Sequence, residues 1–206
     1  MAGALTAPIA RSWRRCVEGG LDPTGQPENP VVSAANLRER RERRGLLRRL
    51  AVVEMQLLYS QIAGSNFMIA FADPDGVVLD TISDHHFAAT AAGRTIIPGS
   101  VWNEDIRGTN ALGLVMREKT ALSVHGREHY FSCHGTVSCM AAPVFDGSGE
   151  IVGLLDSSSS HEARQHHPLA LVRMATAQIE NSLIFPEQMG LLILAFHPRV
   201  ESLRPL

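Results

Sequence analysis

The chain has 206 residues, with 19 Lys plus Arg, 21 Asp plus Glu and a formal net charge of −2. This length suits one main domain with a sizeable core, and the balanced charge excludes a global attraction to nucleic acid or anionic lipid. Three cysteines, an odd number in a chain without an apolar leader, indicate a reduced, cytoplasmic protein rather than a disulfide framework. The apolar runs are too short to cross a bilayer, so no membrane contact is expected.

The N-terminal part predicts helices. Residues 10–18 predict a short helix, and GGLDPTGQPENP after it has the glycine and proline density of a loop. One long helix is predicted from Ser33 to Ile62, with Ser33 as its cap. Within it, four apolar residues spaced four, three and four apart predict a coiled-coil-like seam. They are Leu46, Leu50, Val53 and Leu57.

An arginine-rich run lies within this predicted helix. Residues 38–49, RERRERRGLLRR, hold seven arginines and two glutamates. Helical spacing places these charges around the outside of the seam, with Glu39 four residues before Arg43. No aromatic residues interleave with the run, so bases would have no stacking platform. A solvated helix face is favoured over a nucleic-acid site, and no direct DNA contact is expected.

The middle of the chain changes to strand patterns. FMIAFA, DPDG and VVLDTI form one hairpin signature, and CMAAPVFD, GSGE and IVGLLDSS form a second. Between them, SDHHFAATAAG and GTNALGLVMREK predict helices, the second capped by Thr109, and TALSVHG predicts a strand. This order predicts an α+β fold with an antiparallel sheet of about five or six strands.

A second apolar seam predicts a helix near the C-terminus. Pro168 suits a first helical turn, and Pro186 ends the pattern. The seam between them consists of Leu169, Val172, Thr176, Ile179 and Leu183. Because an exposed sheet face must be covered, this helix and the one ending at Ile62 are expected to pack on one face of the sheet.

The stretch NEDIRGTNALG, residues 103–113, joins a loop to a helix. It lacks the lysine and glycine spacing of nucleotide-binding loops, so no cofactor is expected. Gly108 permits a sharp turn and Asn110 can bond local backbone groups. Trp102 and Ile106 are expected to bury the loop, and Glu104 to face a pocket or bond backbone amides.

These residues carry a family resemblance. IPGSVWNEDIRGTNALG closely resembles a signature of GAF sensor domains in bacterial transcription activators that work with the sigma factor sigma-54, such as the activators of acetoin and glycerol catabolism. RSWRRC with GLDP, GREHYF, CMAAPVFDGSGEIVGLLDSS and AQIEN agree with it, in the same order. The resemblance implies a GAF-like α+β domain, with N- and C-terminal helices on one face of a central antiparallel sheet and a ligand pocket on the other.

The resemblance also implies a domain organisation. Residues 1–32 form a helical and loop segment, 33–62 a long helix, 63–185 the GAF-like sensory domain with its C-terminal helix, and 186–206 a connector. LLILAFHPRVESL is similar to the connector that leads to a second sensory domain in such regulators. The ATPase module and helix-turn-helix of those regulators are not in the sequence. Either the chain is a fragment of a longer regulator, whose connector leads to a missing downstream domain, or it is a protein that keeps only the sensor.

A sensory role without catalysis is the implied function. The resemblance points to a small alcohol, diol or ketone as effector and to a homodimer that transmits the signal through its terminal helices. A compact apolar pocket with one or two polar anchors suits such effectors. The candidate ligand-binding residues are Trp102, Glu104, Asn110, His129, Ser138 and Cys139.

A metal site is an alternative. In HGREHYFSCHGTVSC, the residues His125, His129 and Cys133 are four apart, so on a helix they would share one face. His134 lies beside them. Elsewhere, His85 and His86 are possible further ligands. Spacing alone favours ordinary packing over a physiological metal, because no closed ligand set is visible.

Two further alternatives stay open. Some free methionine sulfoxide reductases have the GAF fold and use several cysteines. In this chain Cys16 is far in sequence from the predicted sheet, which leaves Cys133 and Cys139 as a redox pair. With His129, the same two cysteines could form a metal or redox sensor. The last alternative is an interaction module without a ligand, which a pocket too small or too well filled would indicate.

Overall fold

The computed structural model describes residues 5–62, 66–160 and 167–187. The predicted connector therefore lies outside the described residues, apart from its first two positions. The helices are α1 Ala7–Glu18, α2 Ala34–Arg43, α3 Gly45–Ile62, α4 His85–Ala88, α5 Glu104–Arg107, α6 Ala111–Glu118 and α7 His167–Glu187. The strands are β1 Phe67–Ala72, β2 Val78–Ser83, β3 Leu122–His125, β4 Ser138–Phe145 and β5 Ile151–Ser159.

The five strands form one antiparallel sheet in the order β2-β1-β5-β4-β3. Both predicted hairpins are present. In the first turn Asp73 accepts backbone N–H bonds from Asp75 and Val77 at 3.0 Å, and Gly76 has φ +78°. In the second turn Asp146 takes the same role. An aspartate that bonds its own turn and a glycine at positive φ therefore fix both hairpins.

The sheet separates two apolar cores. Along β1, Ile69 and Phe71 belong to the core under α3 and α7, while Met68 and Ala70 belong to the core under α6. This alternation follows from the two-residue period of a strand. We call the two sides the α3/α7 face and the α6 face.

Helix α7 buries the apolar seam predicted from its sequence, whereas α3 buries its predicted seam only in part. In α7, Val172, Ile179 and Leu183 are buried, as the seam predicts. In α3 the buried residues are Leu47, Ala51, Met55 and Leu58, so the core-facing stripe lies beside the predicted one. Three of the four predicted seam residues are turned outward, whereas Leu50 is partly buried against the core of the α3/α7 face. Leu46, Val53 and Leu57 are between 39% and 53% exposed.

The long helix predicted from Ser33 to Ile62 is two helices. Ser33 caps the first, with its hydroxyl accepting from the Asn36 N–H at 3.2 Å. The break is at Arg44, whose φ and ψ are −102° and 22°. Gly45 follows at once, and glycine has low helix propensity.

The arginine run is not simply solvated. Arg40 binds Asp73 at 2.5 Å and Asp75 at 2.8 Å, and Arg48 binds Asp80 at 2.5 Å. These side chains fasten α2 and α3 to the first hairpin. The predicted Glu39–Arg43 pair is also present, at 2.8 Å.

Three further elements differ from their predictions. Helix α1 starts at Ala7 and packs on the α6 face, where Ile9 joins the core; the α3/α7 face is left to α3 and α7. Helix α4 has only four residues. Asn110 rather than Thr109 caps α6, and its side chain accepts from the Gly113 N–H at 2.9 Å. No helix in the described ranges combines the length and apolar character needed to cross a membrane.

Candidate functional site

A small cavity of about 20 Å³ lies in the core of the α6 face. That volume holds about one water molecule. Strands β4 and β5 supply one wall, α6 a second, and two loops the rest. The lining residues are Ala92, Ile96, Trp102, Asn110, Leu112, His129, His134, Val137, Cys139, Asp156 and Ser158.

The strands present a carboxyl, a hydroxyl and a thiol to this cavity. Ser158 donates its hydroxyl hydrogen to Asp156 Oδ2 at 2.6 Å, and Ser158 Oγ lies 3.2 Å from Cys139 Sγ. Burial raises the pKa of Asp156 from 3.8 to about 7, although the Ser158 bond opposes the shift. Burial also raises the pKa of Cys139 well above 9.0. Near neutral pH the Asp156 carboxyl is therefore partly protonated, and the Cys139 thiol is fully protonated.

His129 presents a bare acceptor nitrogen. Its Nδ1 lies 2.9 Å from the Gly126 carbonyl oxygen. A carbonyl only accepts, so Nδ1 carries the hydrogen. Burial lowers the pKa of His129 to about 3, which keeps the ring neutral. Its Nε2 is buried and has no hydrogen-bond partner among the described residues, so an unused lone pair lies in the wall of the cavity.

His134 is the second imidazole of the lining. Its ring centre lies 5.9 Å from that of Trp102, and its Nδ1 has no hydrogen-bond partner within the described part of the chain. Burial, and then the positive charge of Arg107, lower the pKa of His134 to about 4. Arg107 is itself buried, with its guanidinium carbon 4.1 Å from the centre of the Trp102 ring. This stacked cation supports the outer side of the cavity wall.

Two glycines let the chain turn tightly beside the cavity. Gly108 has φ +61°, and a Cβ there would lie 2.7 Å from Tyr130 Cβ. A Cβ on Gly113 would lie 2.8 Å from the Glu104 nitrogen. Asn110 between them uses both amide atoms locally, on the Gly108 carbonyl and the Gly113 N–H. It lines the cavity, but its polar atoms hold the loop.

Four of the six residues predicted to bind a ligand line the cavity: Trp102, Asn110, His129 and Cys139. Glu104 does not. It is buried against α1, where it accepts from Ser12 at 2.7 Å and from Arg15 at 2.5 Å. Ser138 is also outside the lining; it precedes Cys139 in a strand, so alternation turns it to the α3/α7 face.

Asp156 and Ser158 are the lining residues that the sequence reasoning missed. A signal was present. They follow the apolar run IVGLL inside a predicted strand, at alternate positions, which puts both on one face. Buried polar side chains in such a position indicate a site or a hydrogen-bond network.

The structure does not assemble the metal cluster that the sequence left as an alternative. His125 ends β3, His129 and His134 line the cavity, and Cys133 is exposed. In the described ranges, only Asp84, His85 and His86 place three donor atoms within 4.8 Å of one another, and both histidines are exposed. The set of His125, His129, Cys133 and His134 therefore forms no compact ligand group.

The redox pair is poorly placed for thiol chemistry. All three cysteines are free; Cys133 is exposed, whereas Cys16 and Cys139 are buried. The thiolate is the reactive form, and burial disfavours it at Cys139. Burial also raises the pKa of Cys133, with Arg107 opposing the shift.

Comparison with known protein families explains the arrangement of sheet and cavity. The GAF domain family matches residues 47–183 of the chain. The chain belongs to the GAF domain family. The resemblance predicted from the sequence is thereby confirmed, together with the α+β class and the antiparallel sheet.

Two relatives of this GAF domain are named as regulators. The chain is 36% identical over 184 residues to the acetoin catabolism regulatory protein of Cupriavidus necator, covering 87% of this chain and 28% of the relative. It is 27% identical over 180 residues to the acetoin dehydrogenase operon transcriptional activator AcoR of Bacillus subtilis, covering 87% and 30%. The chain thus spans less than a third of these two relatives.

A solved structure shares the fold. The chain matches a chain in the crystal structure of the E. coli DhaR(N)-DhaL complex with a TM-score of 0.85 and 18% identity, covering 90% of this chain and 63% of that one. At this identity the match shows the fold, and the chemistry has to be argued from the cavity itself.

Proposed function

We propose that this GAF domain is the effector-sensing part of a cytoplasmic transcription regulator, without catalytic activity. The similarity to the two acetoin regulators supports the regulatory role. The observation that carries the sensing role is the unpartnered Nε2 of His129 in the cavity wall. A buried acceptor without a partner costs free energy, and a ligand hydroxyl would remove that cost.

The cavity chemistry suits a small neutral molecule with a hydroxyl and a second oxygen. His129 Nε2 accepts from a hydroxyl group. Asp156, with its pKa raised to about 7, donates from its protonated form to a carbonyl or hydroxyl oxygen. The apolar lining, with Ile96 and Leu112, suits the carbon atoms. A hydroxyketone such as acetoin or a vicinal diol has this combination of groups.

The rival function is an interaction module without a ligand, and the volume of the cavity favours it. Space for one water molecule admits no organic effector until a wall moves. The polar atoms that line the cavity favour a ligand-binding role instead. A core that is merely filled would pair its buried polar atoms, whereas His129 and His134 each leave a ring nitrogen unpartnered among the described residues.

A thermal-shift series on the purified chain separates the two functions. The compounds are acetoin, butane-2,3-diol, butanone and butan-2-ol. At one hundred times its dissociation constant a ligand adds about 2.7 kcal/mol, or roughly 5–10 °C in a domain of this size. His129→Leu should abolish the shift. The control is Ser157→Ala, on the same strand as Asp156 but on the α3/α7 face.

Each result of this series has a clear meaning. Stabilisation by the hydroxyketone or the diol, lost in His129→Leu and kept in Ser157→Ala, supports sensing. If no compound moves the melting temperature, or if His129→Leu responds like the unchanged chain, the proposed site is wrong and the interaction module is the better account.

We also propose that the domain works as a homodimer. The apolar stripe of α3, with Leu46, Val53 and Leu57, is exposed, and Met174 on α7 is 65% exposed. A second copy covering this stripe would bury it in a helical bundle. The seam of α7 itself packs on the sheet, so in this proposal α3 supplies most of the contact.

A further inference from the structure

The N-terminal segment lies against the loop that carries both cavity histidines. We call residues 7–30 the strap and residues 126–137 the cavity loop. Trp13 Nε1 donates to the Glu128 carbonyl at 2.8 Å. Tyr130 donates its hydroxyl to the Leu21 carbonyl at 2.7 Å. The Ser132 N–H donates to the Pro23 carbonyl at 2.9 Å, which makes three bonds along the length of the strap.

The strap also holds the loop that begins α5. Glu104 is buried and accepts from Ser12 at 2.7 Å and from Arg15 at 2.5 and 2.8 Å. Ser12 Oγ lies 2.7 Å from Thr109 Oγ1 as well. A buried carboxylate loses its compensation if its partners leave, so this is the firmest attachment of the strap.

The cavity must enlarge to receive the proposed effector, and its walls differ in how they can move. Cys139, Asp156 and Ser158 lie on paired strands, which hydrogen bonds hold along their length. His129 and His134 lie on the cavity loop, outside the sheet, where the strap provides the bonds described above.

Space for movement lies directly outside that loop. A cleft of about 470 Å³ is lined by residues of both the strap and the cavity loop. Its lining residues are Trp13, Pro23, Thr24, Arg127, Tyr130, Ser132, Gly135 and Thr136. Some residues of the cavity loop therefore line the small cavity, and others line this cleft.

We propose that the strap is a latch on the effector site, and that the effector enters when the strap and the cavity loop separate. This inference rests on the proposed sensing function. Glu104, predicted from the sequence to bind the ligand, is a positioning residue. Through Ser12 and Arg15 it keeps the strap closed. A bound effector then holds the strap in its released position, which uncovers the small core formed by Cys16, Tyr130 and Phe131.

A disulfide can lock the latch and test it. Cys16 Sγ lies 3.7 Å from Thr109 Oγ1, so Thr109→Cys places a second thiol beside Cys16, and rotation of the two side chains has to shorten the gap to the bonding distance of about 2 Å. The exposed Cys133 is changed to Ser to prevent other pairings. Oxidised protein should bind acetoin at least tenfold more slowly than the same protein after reduction, with Trp102 and Trp13 as fluorescence reporters. Equal rates in the two forms would exclude the latch.

The reduced form separates this inference from the proposed function. If reduced protein does not bind acetoin or butane-2,3-diol, the proposed effector fails, and the latch is then judged without ligand by hydrogen exchange. Glu104→Gln should increase amide exchange in residues 126–137 severalfold and leave residues 84–97 unchanged. Glu180→Gln, a carboxylate on the α3/α7 face that accepts from the Phe145 N–H, is the matched control. Faster exchange in 84–97 alone would place the access route there and overturn the latch.

Discussion

The two faces of the sheet are built from the same strands and serve different purposes. On the α3/α7 face the strands bury Ile69, Phe71 and Leu155 against two long helices. On the α6 face, β5 buries Leu154 and then Asp156 and Ser158, beneath short helices and loops. The α3/α7 face stabilises the domain mainly by burying apolar side chains. The α6 face also buries polar groups, whose burial costs free energy of folding.

This difference shows how a strand can separate stability from function. Leu155 and Asp156 are adjacent in sequence, but their side chains lie in different cores because the strand period is two. Each face can therefore be changed with little effect on the other. The predictions below change one face at a time, from the largest expected effects, inside the two cores, to the smallest, on the exposed stripe of α3.

Removing apolar volume from the α3/α7 face should have the largest effect. Leu155→Ala leaves a cavity in a fully buried position, and the free energy of unfolding should fall by roughly 2–5 kcal/mol. Urea denaturation measures this change. Effector affinity of the folded protein should stay within about twofold; a large loss of affinity would show that the two faces are coupled.

Acidic pH should lower the stability of the fold, because the buried histidines of the α6 face are neutral. The pKa of His134 is about 4 in the folded protein and 6.5 ordinarily. The unfolded chain therefore binds more protons between these values, so His134 destabilises the fold progressively as pH falls from 6.5 to 4. The shift corresponds to about 3 kcal/mol.

His134→Asn should remove this dependence. Relative to the unchanged chain, the variant should gain about 3 kcal/mol in free energy of unfolding between pH 7.5 and pH 4, as followed by chemical denaturation across the pH range. A constant difference at all pH values would mean that His134 is not buried in its neutral form.

Asp156 should act in the opposite direction. Its pKa is about 7 in the fold and 3.8 ordinarily. The folded state binds more protons in this window, so its contribution to stability falls as pH rises from 4 to 7. Asp156→Asn should therefore stabilise the chain at pH 8, on the order of 4 kcal/mol, and give little gain at pH 4. A larger gain at pH 4 than at pH 8 would contradict the raised pKa.

A charge on the exposed stripe of α3 should have the smallest effect on the fold. Val53→Glu should change the free energy of unfolding of the monomer by about 0.5 kcal/mol or less, because Val53 is 53% exposed. Light scattering should show loss of the proposed dimer. The control is Arg14→Glu, an exposed change on α1 away from this stripe. A dimer that survives Val53→Glu would exclude α3 as its interface.

The structure, rather than the sequence, identifies which residue can be changed to test that interface. Sequence spacing placed Leu46, Leu50, Val53 and Leu57 in one seam and predicted a second seam on α7 that includes Ile179. Ile179 is fully buried on the sheet, so a charge there would unfold the domain rather than separate a dimer. Two apolar stripes run side by side along α3, and spacing does not indicate which one meets the sheet.

The sequence by itself determined the two hairpins, the glycine turn at Gly108, the α+β class and the GAF family. These depend on local signals: turn residues at fixed positions, strand alternation and a contiguous motif. Only the tertiary structure decided that Glu104 binds the strap, that Asp156 joins His129 in one cavity and that α1 covers the α6 face. Those outcomes depend on contacts between residues far apart in the chain, such as Arg15 and Glu104, which no local pattern encodes.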